Sequence, residues 1–133
     1  MVGIPTLNRI LSVDDEADIR EVLGMALREV GGFEVVMCGS GAEAIEQVPV
    51  FRPDLILLDA RMPQMDGPLT LEALRRLPHT ATTPVIFLTA KVGIDDLERY
   101  GRLGVVGIVT KPFDPMLISE QITRTWRRYH EGR

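Results

Sequence analysis

Short, mainly apolar runs alternate along this chain with longer stretches whose apolar residues recur every three or four positions. The runs fall at about residues 8–13, 34–38, 55–59, 85–88 and 105–110, and each predicts a β-strand. Leu55-Ile56-Leu57-Leu58 is the most uniform of them. Four successive large aliphatic residues suit a strand covered on both faces, as in a parallel sheet between helices. After Asp14-Asp15-Glu16, the residues Ile19, Val22, Leu23, Ala26, Leu27 and Val30 form one apolar stripe at helical spacing. Asp15 is the expected N-cap, and Gly31-Gly32 the stop. A short helix is expected over 41–48, burying Ala44, Ile45 and Val48, with Pro49 and Pro53 framing the connection to the third strand. Further helices are expected over 68–77, with Pro68 in the first turn, and over 93–102. The second of these has glycines at Gly93 and Gly101 and is the weakest by propensity. The last helix is expected over about 115–129, with Ile118, Ile122, Trp126 and Tyr129 on one side.

Strand and helix therefore alternate five times. Right-handed crossovers convert that order into an α/β, flavodoxin-like, doubly wound (βα)5 fold with a five-stranded parallel sheet in the order 2-1-3-4-5. No repeat, low-complexity tract or linker divides residues 1–133, so one domain is expected. The length of 133 residues suits a single core.

Composition narrows the function classes. Apolar residues at 45% and charged residues at 26% describe an ordinary soluble domain. A net charge of -4 disfavours direct nucleic-acid binding or adsorption to anionic membrane. Arg124, Arg127, Arg128 and Arg133 read as a solvated helix end complementing the helix dipole. No apolar run is long enough for membrane insertion, and Met1-Val2-Gly3-Ile4-Pro5 does not resemble a signal peptide. Cys38, the single cysteine, excludes an intrachain disulfide and reads as a small buried hydrophobe. A cytoplasmic location is expected.

The chemistry lies where the strands end. In the expected order, the first and third strands are neighbours at the switch point, so Asp14, Asp15 and Asp59 converge, with Thr89 and Lys111 beside them. Crowded carboxylates repel one another unless a cation intervenes. An all-oxygen set suits Mg²⁺: Asp15 and Asp59 as direct ligands, Asp14 through water, and the backbone carbonyl of Arg61 as a further oxygen. Lys111 and Thr89 are placed to receive phosphoryl oxygens, which makes Asp59 the candidate nucleophile and phosphoacceptor. Taken singly, each residue has a plainer role: Asp14 and Asp15 as a helix cap, Thr89 as a turn former, Lys111 as a surface cation. Trp126 reads as helix packing, at the edge of an interaction face, and His79 and His130 as solvated residues of a loop and a tail.

Five motifs at successive strand ends resemble the receiver (response-regulator) domain of two-component signalling over nearly the whole chain. They are Val13-Asp14-Asp15; Pro53-Asp54 leading into Leu55 to Asp59; Met62-Pro63 with Met65-Asp66-Gly67; Thr89-Ala90; and Thr110-Lys111-Pro112-Phe113. The resemblance implies that Asp59 takes a phosphoryl group from a sensor histidine kinase or histidine phosphotransfer protein. It implies Mg²⁺ at Asp14, Asp15 and Asp59, a switch role for Thr89, a cis Lys111-Pro112 bond, and control of an output domain or downstream protein. On this view the chain is a regulator, with only self-catalysed phosphotransfer and slow autodephosphorylation. It departs from the family at Ile108, where an aromatic residue is usual, and at Val106-Gly107, where an acidic pair is common. Arg61 and Lys91 lie two residues beyond Asp59 and Thr89, at positions that tune phosphate lifetime in the family. The alternatives are a phosphorylation-independent interaction module with the same fold, and a metal-dependent phosphatase or nucleotide-binding enzyme. Against the last, Asp14-Asp15-Glu16 follows the first strand where a nucleotide site needs a glycine-rich loop.

Overall fold

The structure is a computed structural model describing residues 3–90 and 93–132. Five strands, β1 (Arg9–Val13), β2 (Glu34–Cys38), β3 (Leu55–Asp59), β4 (Val85–Thr89) and β5 (Val105–Thr110), form one parallel sheet in the order β2-β1-β3-β4-β5. The connecting helices are α1 (Ala17–Met25), α2 (Gly41–Phe51), α3 (Gly67–Arg75), α4 (Ile94–Arg102) and α5 (Ile118–Glu131). β3 and β4 are buried at every residue, as expected for strands covered on both faces.

Two apolar layers sandwich the sheet. One joins Leu23 and Leu27 to Ile118, Ile122 and Trp126, and so lies under α1 and α5. The other joins Ala44, Val48 and Phe51 to Leu71, Leu74 and Tyr100, under α2, α3 and α4. The Trp126 indole is buried, and its N–H donates to the Pro5 carbonyl at 2.8 Å. The ring ties the segment before β1 to the last helix, as expected for packing. Cys38 is buried, and burial pushes its thiol pKa up to about 12.

Several local expectations are corrected. The cap of α1 is Glu16, not Asp15, and it makes no side-chain capping bond; Asp14 Oδ1 instead accepts from the Glu16 amide at 2.9 Å. α1 ends in a wider turn, Ala26–Val30, with the Gly31 amide reaching back five residues to Ala26 at 3.1 Å. Of the predicted stripe, Leu23, Ala26 and Leu27 are buried, but Val22 (44% exposed) and Val30 face outward. α2 runs three residues beyond the predicted end, straight through Pro49. Proline removes one helical bond there, and burial of Phe51 in the next turn holds the helix until Arg52 ends it at φ 53°. Ile45 is only half-buried. α5 begins at Ile118 rather than near 115, because Asp114 turns the chain first, accepting from the Met116 amide at 2.8 Å. His130 lies within α5, edge-on to Trp126 and Tyr129 at 4.2 and 5.0 Å between ring centres, and so is neither in a tail nor freely solvated. Among the described residues, no helix is long and apolar enough to cross a membrane.

Candidate functional site

Register alone gathers the site. Val13 pairs with Leu58, so Asp14 and Asp59 leave adjacent strands at the same level. Asp59 pairs with Leu88 and Thr89 with Thr110, which brings Thr89 and Lys111 to the same edge. Backbone bonds lock these tips: the Asp14 amide donates to Cys38 O at 3.0 Å, and the Lys111 amide to Thr89 O at 2.8 Å. The Lys111-Pro112 bond is cis.

Asp14 and Asp59 are buried, Asp15 is exposed, and one oxygen from each of the three lies within 4.8 Å of the others. Lys111 Nζ spans the group, at 2.9 Å from Asp14 Oδ2, 3.3 Å from Asp59 Oδ2 and 3.6 Å from Glu16 Oε1. The Arg61 amide donates to Asp59 Oδ1 at 3.0 Å. Burial pushes the Asp59 carboxyl up to about 6, helped by Asp14 and opposed by the Arg61 amide and Lys111. Burial alone pulls the Lys111 ammonium down, but the Asp14 hydrogen bond and the charges of Asp14 and Asp59 outweigh it and hold the amine above its usual value.

The fit to a hard cation rests on these atoms. The donors are all carboxylate oxygens. The Glu16 amide holds Asp14 Oδ1, and Asp14 Oδ2 is buried with the Lys111 ammonium as its ion-pair partner among the described residues. Buried carboxylate oxygens gathered around one cationic neighbour suit a divalent cation as a further partner.

The expected residues Asp14, Asp15, Asp59 and Lys111 are brought together. Thr89 is buried at the same edge, and Arg61 follows Asp59 with its side chain exposed. Lys91 lies outside the described residues. Two neighbours escaped the sequence reading. Arg20 Nη1 donates to the Asp14 carbonyl at 2.8 Å, bracing the turn that carries both acidic residues. Glu16 reaches Lys111 from the exposed side. Their only sequence signal is position: Glu16 adjoins the acidic pair, and Arg20 lies one helical turn beyond Glu16.

Gly67 sets how closely the following loop approaches Asp59. A methyl group there would lie 2.6 Å from Asp59 O and 2.7 Å from Ala60 Cα. The Gly67 amide donates to Ala60 O at 3.1 Å, and the next helix is capped by Asp66, which accepts from the Leu69 amide at 2.9 Å.

The family model for the response regulator receiver domain matches residues 10–123. The regulatory protein AtoC of Escherichia coli is 39% identical over 108 residues, covering 81% of this chain and 23% of AtoC. The DNA-binding response regulator MtrA of Mycobacterium tuberculosis is 35% identical over 120 residues, covering 90% of this chain and 51% of MtrA. The chain thus spans about half or less of these relatives' lengths. Among solved structures, the chemotaxis protein CheY4 of Vibrio cholerae superimposes with a TM-score of 0.84 at 28% identity, covering 90% of this chain and 99% of that one. The N-terminal domain of a response regulator receiver protein from Methanoculleus marisnigri superimposes with a TM-score of 0.73 at 35% identity, covering 90% and 96%.

Proposed function

The chain belongs to the response regulator receiver domain family, and from that premise we propose that Asp59 is its phosphoacceptor. The donor is a phosphohistidine on a sensor histidine kinase or histidine phosphotransfer protein in the cytoplasm. The observation that carries the reading is the cluster of Asp14, Asp15 and Asp59 oxygens with Lys111 Nζ across it.

An Asp59 carboxylate oxygen attacks phosphorus and forms a P–O bond. The P–N bond to the donor imidazole breaks, its electron pair returns to nitrogen, and that nitrogen takes up a proton. Asp14, Asp15 and Asp59, with the carbonyl of Arg61, would hold Mg²⁺, which supplies charge neutralisation between carboxylates and phosphoryl oxygens. Lys111, already beside Asp59 Oδ2, keeps the attacking group ionised and then neutralises phosphoryl charge. The Arg61 amide holds Asp59 Oδ1, which orients the carboxylate and leaves Oδ2 on the Lys111 side. Thr89, at the end of the neighbouring strand, supplies a hydroxyl for a phosphoryl oxygen and moves as it does so. The product is an acyl phosphate that the domain itself hydrolyses slowly. Its formation shifts a two-state balance read by an output domain or a downstream protein.

No geometric observation favours a phosphorylation-independent module. The test is labelling by acetyl phosphate with Mg²⁺, read by intact-mass spectrometry and by thermal melting. One phosphoryl group per chain is expected, with Mg²⁺ alone raising the melting temperature. Labelling that persists in Asp59→Asn would remove the assignment.

A further inference from the structure

The departure at Ile108 raises the question of which side chain behind Thr89 can register a change at Asp59. Thr89 and Phe87 are two residues apart on β4 and so share a face of the sheet. Phe87 stands opposite Ile108 in register, and both belong to the apolar layer under α2, α3 and α4. The ring that covers Phe87 comes from the helix. Tyr100 of α4 is buried and meets Phe87 edge-on, with ring centres 4.5 Å apart and planes at 73°.

Tyr100 is the buried residue of α4. The other large apolar side chains of that helix, Ile94 and Leu97, are 79% and 51% exposed. One aromatic ring is thus the main apolar anchor of the helix on the sheet. Such an element lies toward the low-stability end of a fold, where a small push displaces it. Burial raises the Tyr100 hydroxyl pKa, with Asp96 of the same helix adding to the rise.

We propose that Tyr100 couples the phosphoryl site to α4, supplying from the helix the ring that the receiver family usually places at position 108. When Thr89 moves toward a phosphoryl group on Asp59, the packing around Phe87 changes and Tyr100 must re-seat. α4 shifts with it, carrying its exposed Ile94 and Leu97. The inference rests on Asp59 acting as the phosphoacceptor.

The full chain, with tyrosine ¹³C-labelled in its ring, is examined by NMR with and without beryllofluoride and Mg²⁺, a stable stand-in for the phosphoryl group. The chain has two tyrosines, so the Tyr100 ring signal is assigned by difference. It is expected to shift on binding, and amide exchange across residues 94–102 to change at least threefold. Tyr100→Phe keeps the ring and retains the exchange response. Tyr100→Leu loses it while binding beryllofluoride within threefold of the parent. An unmoved Tyr100 signal, or a full exchange response in Tyr100→Leu, overturns the coupling. The labelled parent decides the matter even if Tyr100→Leu does not fold. Failure of the parent to bind beryllofluoride overturns the phosphoacceptor reading and the coupling together. Binding without a Tyr100 response removes the coupling alone.

Discussion

Burying Asp14 beside Asp59 is costly, and Lys111 is the cation that offsets it in the metal-free protein. Lys111→Met leaves two adjacent buried carboxylates without that cation, so a loss of about 3 kcal/mol is expected in urea titrations with chelator present. Mg²⁺ should recover much of the loss. Asp59 has its own pH signature. Its carboxyl pKa rises from 3.8 to about 6 on folding, so the native state holds this proton more tightly than the unfolded chain does. The associated stability is fully present below about pH 4 and is lost as pH rises through 6. In metal-free protein the decline should reach at most about 3 kcal/mol, since one pKa unit corresponds to about 1.4 kcal/mol. Asp59→Asn should flatten that part of the profile. A parent profile that climbs between pH 4 and 7 would contradict the assignment of burial as the dominant cause.

At the scale of elements, the loop between β3 and α3 sets the geometry around the phosphoacceptor. A methyl group at position 67 collides with backbone atoms of Asp59 and Ala60, which cannot rotate aside. Gly67→Ala is therefore expected to cost about 2 kcal/mol and to slow labelling of Asp59 by acetyl phosphate at least tenfold. A variant that labels at the parent rate would show that this approach distance does not matter. The strands were legible in the sequence because solid apolar runs such as Leu55 to Leu58 leave little choice of structure. The helix ends were less so, because tertiary packing decides them. Burial of Phe51 carries α2 through a proline, and α1 ends in a wide turn at Ala26–Val30 that its apolar spacing does not announce. The strand-tip residues of the site could be read because sheet order and register place them. Arg20, Glu16 and Tyr100 could not, since each depends on a side chain crossing between elements.

For the whole molecule, the two apolar layers hold a sheet whose strand ends bring Asp14, Asp15 and Asp59 together. A ligand that binds only the folded state raises stability in proportion to its saturation. Mg²⁺ should therefore raise the melting temperature in a saturable way, as it relieves repulsion among Asp14, Asp15 and Asp59. Asp15 is exposed, so Asp15→Asn is expected to fold with near-parent stability in chelator and to need at least tenfold more Mg²⁺ for the same rise. An unchanged Mg²⁺ titration in that variant would take Asp15 out of the cation site.

The most direct measurement is chemical trapping of the phosphorylated residue. The full chain is treated with acetyl phosphate and Mg²⁺, reduced with borohydride, digested, and its peptides sequenced by mass spectrometry. Reduction converts an aspartyl phosphate to homoserine, so homoserine is predicted at position 59 and at no other aspartate, and only when Mg²⁺ is present. Homoserine at Asp14 or Asp15, or none at position 59 under conditions that label the chain, would contradict the account.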